Sequence, residues 1–218
     1  MIAIDGPAGA GKSTIARRLA NRLGFTYIDS GAMYRAIALW ALRQEISLTD
    51  MHRMEQLAQA ASIKLETASG RVLLNQEDVT EAIRSPETAQ AASLAAAIPG
   101  VRRAMVEMQR GMAASASVVM EGRDIGSVVF PHADVKIFLD ADPQERIRRR
   151  LAETESSPEA VAEQLKQRDE RDRTRAESPL VQAPDAVYID STGRRIEEVE
   201  EAILKVIRTK LSNGKVFE

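Results

Sequence analysis

The chain has 218 residues, 44% hydrophobic and 28% charged, and its 30 basic and 32 acidic side chains leave a net charge of −2. That length suits one domain, or one domain with an insertion, and is ample for a core. The charge balance argues against a generally basic nucleic-acid-binding surface. Cysteine is absent and His52 and His132 are the two histidines, which excludes a disulfide scaffold, thiol catalysis and a cysteine-ligated zinc site and argues against a histidine-rich metal centre. No stretch reaches about 18 apolar residues, and the N-terminal residues lack the basic region and long apolar run of a secretion signal. A cytoplasmic protein without membrane association is expected.

Residues 1–5 are short, β-branched and apolar and run into a glycine-rich turn, the pattern of a buried first strand. Ile15, Ala16, Leu19, Ala20 and Leu23 then form a helical apolar stripe that Gly24 ends. Phe25 to Ile28 read as a second strand, and Asp29 and Ser30 can cap a helix from about Gly31 to Leu42. A weaker helical pattern covers 50–62. Ile63–Glu66 and Arg71–Leu74, flanking Thr67-Ala68-Ser69-Gly70, fit a β-hairpin in a small insertion. Residues 81–115 are alanine-rich and helical, broken at Pro99-Gly100. Strand candidates at Val118–Met120, Val135–Leu139 and Ala186–Ile189 alternate with helical patterns, which predicts a parallel α/β sheet. Residues 142–178 carry 9 basic and 10 acidic side chains and read as an exposed helical hairpin. A last helix, about 196–211, presents Ile196, Val199, Ile203, Val206, Ile207 and Leu211 on one face.

Gly6-Pro7-Ala8-Gly9-Ala10-Gly11-Lys12-Ser13 matches G-x-x-x-x-G-K-[ST] in full, with Thr14 next, between a strand and a helix. The glycines let backbone N–H groups curl round phosphate oxygens, and the helix N-terminus adds partial positive charge. Lys12 can bridge a transferred phosphate, and the Ser13 hydroxyl can ligate Mg²⁺. A dinucleotide fingerprint does not fit, because Thr14 stands where its third glycine belongs. The expected ligand is a nucleoside triphosphate.

Further clusters suggest a second anion. Asp29, Ser30 and Arg35 lie at the start of the helix after the second strand, the edge to which a parallel sheet brings its phosphate loop. A capped helix with a solvent arginine is the alternative. Val118-Val119-Met120 runs into Glu121-Gly122-Arg123-Asp124, delivering charged groups at a strand end, where an internal ion pair is the alternative. In a helix from about Pro158 to Ala176, Val161, Leu165, Arg168, Asp172 and Arg175 share one face. Asp172 can pair with Arg168 and Arg175 there. A polyanion explains the change from apolar to Arg-Asp-Arg, and a salt-bridged solvent face competes with it. After Asp142-Pro143, a helix places Arg146, Arg149 and Arg150 on one side. They either close over a triphosphate or balance nearby glutamates.

Taken together, residues 4–14, Asp29-Ser30-Gly31-Ala32-Met33-Tyr34-Arg35, Glu121-Gly122-Arg123-Asp124-Ile125-Gly126 and Arg168-Asp169-Glu170-Arg171-Asp172-Arg173-Thr174-Arg175 resemble the nucleoside monophosphate kinases, and among them the bacterial cytidylate kinases, over almost the whole chain. Ser127 departs from that pattern, standing where threonine is expected, but keeps the hydroxyl. The resemblance implies an α/β P-loop NTPase fold: a five-stranded parallel sheet flanked by helices, a helical lid and a small antiparallel β insertion in the monophosphate-binding region. It implies a single kinase domain with core segments at about 1–40, 101–141 and 179–218, an insertion at about 41–100 and a lid at about 142–178. The implied reaction is ATP + CMP (or dCMP) → ADP + CDP (or dCDP), with Mg²⁺, in a monomer without nucleic-acid partners.

By position, the resemblance implies Lys12, Arg123, Asp124 and Arg175 as the catalytic set. Gly6 through Thr14 and Arg149 would hold ATP, with Ser13 on the metal. Ser93, Arg102 and Asp124 would read cytosine, Arg168 and Asp172 the sugar, and Ser30, Arg35, Arg123 and Arg175 the acceptor phosphate. A carboxylate can accept from the cytosine amino group and an arginine can donate to the ring acceptors. Read without the resemblance, Ser93 and Arg102 are ordinary helix residues. The acceptor phosphate has a second pKa of about 6, so no strong general base is needed. Adenylate or shikimate kinase activity, a nucleotide-dependent switch and an RNA-processing ATPase are the competing readings. The first two lack a use for this arginine pattern, and the acidic balance and eight aromatic residues disfavour the last.

Overall fold

The computed structural model of the protein describes residues 1–67, 69–154 and 156–213, with side chains described up to residue 210. Ala68 of the expected hairpin turn and the Leu211 side chain lie outside the described residues. In chain order the elements begin with β1 (Ile2–Asp5), α1 (Lys12–Leu23), β2 (Thr26–Asp29), α2 (Ser30–Arg43) and α3 (Met51–Ala60). Next come β3 (Ile63–Glu66), β4 (Arg71–Leu74), β5 (Glu77–Asp78), α4 (Pro86–Ala95) and α5 (Pro99–Ala113). Then follow β6 (Val118–Gly122), β7 (Val135–Asp140), α6 (Pro143–Leu151), α7 (Pro158–Thr174), β8 (Val187–Asp190) and α8 (Ile196–Asn213).

The chain divides into two compact units. The first comprises Met1–Tyr27, Ala116–Thr174 and the residues from Ser178 onward; the second comprises Ile28–Ser115 with Arg175–Glu177. Thus α2 and α5 group with the small sheet, and α6 and α7 with the large one.

The large sheet has five strands in the order β2-β6-β1-β7-β8. β1 pairs in parallel with β6 (Ile2 opposite Val119) and with β7 (Ile2 opposite Val135), and β7 pairs in parallel with β8. β1 and β6 are buried along their whole length, as expected of central strands covered on both faces. Ile15, Ala16, Leu19 and Ala20 of α1 share one core cluster with Ile2, Ile4, Val119, Val135, Ile137, Leu139 and the α8 residues Val199, Ile203, Leu204 and Ile207. Arg18 and Arg22 of α1 both reach the buried Glu200 of α8, at 2.6 and 3.3 Å. Gly24 ends α1 in the left-handed region at φ 69°, as the sequence predicts.

Two features of this unit carry no sequence signal. Residues Ile125–Val129 wind as a π-helical turn, with the N–H of Val129 donating to the carbonyl of Asp124 and that of Phe130 to Ile125. The helix expected to continue to Ala176 stops at Thr174. There the carbonyl of Asp172 accepts from the N–H of Leu180 at 2.7 Å, so the returning chain takes the place of the helix ladder.

In the second unit α2 packs on α4, and α3 on α5. Met33, Ile37, Met54 and Met105 are fully enclosed. Asp29 caps α2 as expected, accepting from the N–H of Ala32 at 2.8 Å. The break after α4 ends at Pro99-Gly100, which open α5, and a Cβ on Gly100 would make the Glu55 carboxyl of α3 turn aside. The expected hairpin forms and gains a third strand: Asn75 and Gln76 turn the chain at φ 49° and 73°, and Leu73 and Leu74 pair with Asp78 and Glu77. A two-residue acidic strand after a turn without glycine lacks the usual hairpin signature.

Leu19→Ala is expected to lower the unfolding free energy by about 3 kcal/mol in a urea titration. A loss under about 1 kcal/mol would show that the α1 stripe is not tightly packed on the sheet.

Candidate active site

The phosphate loop fills the gap between β1 and α1 in the first unit. Gly6 has φ 148°, and a Cβ on it would sit 1.9 Å from the carbonyl oxygen of Leu139 in β7. Gly9 has φ 78° and faces α6, where an added Cβ would lie 3.1 Å from Cβ and the carbonyl oxygen of Arg146. Gly11 caps α1 from the left-handed region at φ 90°, with no side chain closing the helix end. The first-turn N–H groups of α1 therefore remain for a ligand, which is how helix ends hold phosphate.

Lys12 begins α1 and is buried, with Nζ donating to the carbonyl of Pro7 at 2.6 Å. Burial pushes its ammonium down to about 7; Arg123 and Arg168 push the same way, and Glu121 and Asp172 pull back. These four surround the lysine electrostatically, which brings together the strand end at 121–124 and the basic face of α7. Arg123 donates from Nε to Asp172 at 2.9 Å and from Nη1 to the carbonyl of Gly122 at 3.1 Å. Asp172 thus reaches across to the sheet, beyond the within-helix pairing expected of it. Glu121 is buried and accepts from the Tyr27 hydroxyl at 2.7 Å.

Asp124 is buried at the head of the π turn. Asp5, the last residue of β1, holds that turn: its two oxygens accept from the N–H groups of Ile125 and Gly126 at 2.8 and 2.7 Å. Burial pushes the Asp5 carboxyl up to about 6 against those two bonds, with Asp124 adding and Lys12 opposing. Asp5 was legible as an acid at a strand end, but its partners lie about 120 residues away.

The arginines of α6 separate by what they touch. Arg149 donates to Glu145, to the carbonyl of Ala10 in the loop and to the side chain and carbonyl of Ser191. Ser191 is buried beyond β8, and its hydroxyl lies 3.2 Å from the Ala10 carbonyl and 2.9 Å from that of Asp140. Sequence reasoning missed it because a lone serine after a strand has no signature. Arg146 is buried against Asp169, and Arg150 pairs with Glu153 outside. Ser13 and Thr14 are exposed at the start of α1.

In the second unit, Ser30 is buried and Arg35 donates to Asp29 at 3.0 Å. Ser93 is buried in α4. Arg102, ordinary in the sequence, is 2% exposed, donates to the carbonyl of Ala96 at 3.1 Å and lies over the Tyr34 ring at 5.6 Å. Burying a guanidinium this deeply is costly unless it is well held. Arg175 is buried and falls in the short stretch that groups with this unit, one residue past the end of α7. The expected Arg168–Asp172–Arg175 helix face therefore contains its first two members only.

The family model described as cytidylate kinase matches residues 2–209. A cytidylate kinase of Solibacter usitatus is 62% identical, covering 100% of this chain and 96% of the relative. That of Symbiobacterium thermophilum is 50% identical over 95% of this chain and 96% of its own. Among solved structures, an uncharacterized protein from Eubacterium ventriosum superposes with a TM-score of 0.54 at 13% identity, covering 95% of this chain and 97% of its own. A gluconokinase from Sinorhizobium meliloti superposes with a TM-score of 0.50 at 14% identity, over 97% and 93%. The solved structures bear on the fold alone. The family model and the two relatives, each matching nearly all of the sequence, show that the chain belongs to the cytidylate kinase family.

Proposed function

We propose that the protein transfers the γ-phosphoryl group of ATP to CMP or dCMP, giving ADP and CDP or dCDP, as a step of pyrimidine nucleotide metabolism. The observation that carries this reading is the setting of Lys12, a buried ammonium at the phosphate loop under the influence of Arg123 and Arg168, in a chain of the cytidylate kinase family. Cations held this close to one another repel, and a bound polyphosphate relieves the repulsion. The family name supports the substrate class.

In the reaction, an oxygen of the acceptor phosphate attacks the γ-phosphorus, and the bond from that phosphorus to the β–γ bridging oxygen breaks. The attacking group is already largely a dianion at neutral pH. Positioning and neutralisation of charge supply the acceleration. We assign the backbone of Gly6 through Thr14, with Arg149, to ATP. Lys12, Arg123, Arg175 and Asp124 form the catalytic set. Ser30, Arg35, Arg123 and Arg175 take the acceptor phosphate, Arg168 and Asp172 the sugar, and Ser93, Arg102 and Asp124 the cytosine. We further take residues 142–178 as a lid over the core segments, residues 41–100 as the monophosphate-binding insertion, and the enzyme as a cytoplasmic monomer.

Magnesium fits the residues present. Ser13 offers an exposed hydroxyl oxygen beside Lys12, and among the described residues no group of three or more His, Cys, Asp or Glu could hold a metal alone. Such a site suits Mg²⁺, which keeps several waters and takes phosphate oxygens with few protein ligands. When bound, the ion neutralises charge on the β- and γ-phosphates.

ADP formation from Mg·ATP is expected to be fast with CMP and dCMP and slow with UMP, AMP, GMP, dTMP and shikimate. Equal background hydrolysis across that panel would replace the kinase reading with a nucleotide switch. Lys12→Ala should lower kcat by about 100- to 1,000-fold with the far-UV circular dichroism unchanged, and near-normal turnover would end the assignment.

The depressed Lys12 ammonium also predicts a proton linkage. Above pH 7 the free lysine is mostly neutral, and a triphosphate raises its pKa by favouring the charged form. Binding then takes up a proton, and affinity declines as pH rises above 7. Calorimetry of a non-hydrolysable ATP analogue in two buffers of different ionisation enthalpy, at about pH 8, should show uptake that Lys12→Met abolishes. Equal proton uptake by wild type and variant would count against it.

A further inference from the structure

The α6–α7 hairpin contains a buried ion pair to which the residue roles assigned above give no task. Arg146 in α6 donates from Nη1 to Asp169 Oδ2 in α7 at 2.6 Å and to the carbonyl of Ala8 at 3.2 Å. Its Nε donates to the carbonyl of Ala141 at 3.2 Å. Both side chains are buried, and Asp169 Oδ1 has no hydrogen-bond partner among the described residues. Around them Ala8, Val161 and Leu165 form a small apolar cluster with Ile147 and Leu151.

Stability is a weak reason for such a pair. Removing two ions from water is costly, an unsatisfied carboxylate oxygen adds to the cost, and an apolar pair of similar volume often packs as well or better. An apolar pair cannot, however, donate to the Ala8 carbonyl. That carbonyl and the N–H of Gly9 belong to one planar trans peptide and point in opposite directions. Holding the carbonyl towards α6 turns the N–H away from α6. Gly9 itself lets α6 come this close, since a Cβ there would press on Arg146 at 3.1 Å.

We propose that Arg146, held in place by Asp169, is a positioning residue for ATP: it fixes the Ala8–Gly9 peptide so that the Gly9 N–H faces the phosphates, and it ties that loop to α7. The proposal rests on the reading of this loop as the cradle for ATP. Neither side chain touches the nucleotide. Arg168 and Asp172 lie on the same helix as Asp169, so the strap joins the ATP loop to a helix assigned to the acceptor sugar.

The test compares wild type with Asp169→Asn, Arg146→Lys and the apolar double variant Arg146→Met/Asp169→Leu, reading KM for ATP, KM for CMP, kcat and the thermal midpoint. Asp169→Asn is expected to lower the midpoint, and the apolar pair to restore it. KM for ATP should nevertheless stay about 10-fold high in the apolar pair and in Arg146→Lys, with KM for CMP within about two-fold of wild type. An apolar pair with normal KM for ATP would overturn the proposal and leave a structural ion pair. If that pair does not fold, Arg146→Lys decides alone by the same criterion. Wild-type protein that fails to phosphorylate CMP would instead sink the functional reading, and calorimetric ATP affinity across the same variants would still test the strap.

Discussion

The nucleotide-binding unit depends on close approach at two glycines. At Gly6 the backbone of β7 comes so near that any side chain would collide with a carbonyl oxygen, and at Gly9 helix α6 closes from the other side. The loop is thereby shaped by its walls. Its own residues are small, and its conformation is held by groups from β7, α6 and the segment after β8 that press on it or donate to its carbonyls. This division of labour explains why Arg149 and Ser191 converge on the Ala10 carbonyl while Arg146 holds that of Ala8. With carbonyls drawn outward, the amides are left for a ligand.

The charges in this unit are arranged in opposition. Lys12 is kept near its titration point by burial and by neighbouring guanidinium groups. Asp5 is kept near its own by burial, and it uses its two oxygens on the backbone of the π turn. The turn carries Asp124 at its head, and Arg123 precedes it on a leash to Asp172. Asp5 and Arg123 are thus already held by bonds within the protein. Preorganised polarity of this kind lowers barriers because little reorganises during the reaction.

Local features of the sequence were enough for the phosphate loop, the caps at Gly24 and Asp29, the Pro99-Gly100 break and the order of strands and helices. Each depends on neighbours within one turn or one strand. The features that escaped depend on partners far along the chain. Asp5 meets Ile125 and Gly126, Arg146 meets Ala8, and Ser191 meets Ala10. The end of α7 is another case: its helical pattern continues past Thr174, but Leu180 captures the Asp172 carbonyl. Arg102 shows the same limit from the other side. Its sequence setting is that of a surface residue, and only the packing of Tyr34 and the Ala96 carbonyl around it marks it as enclosed.

The packing of α1 against α8 has a consequence for how the protein is made. A chain emerges from the ribosome N-terminus first, and domains form as their parts become available. Here β1, the loop and α1 precede the other elements in chain order, yet β1 needs β6 and β7 as neighbours. The stripe of α1 shares its core with Val199, Ile203, Leu204 and Ile207, and Arg18 and Arg22 wait for Glu200. The phosphate-loop motif is therefore synthesised before the segments that back it. The second unit, built mainly from Ile28–Ser115, can assemble while the nucleotide loop is still an unsupported strand and helix. A nascent chain stalled before α8 would carry the complete phosphate-loop sequence without the backing that gives it shape.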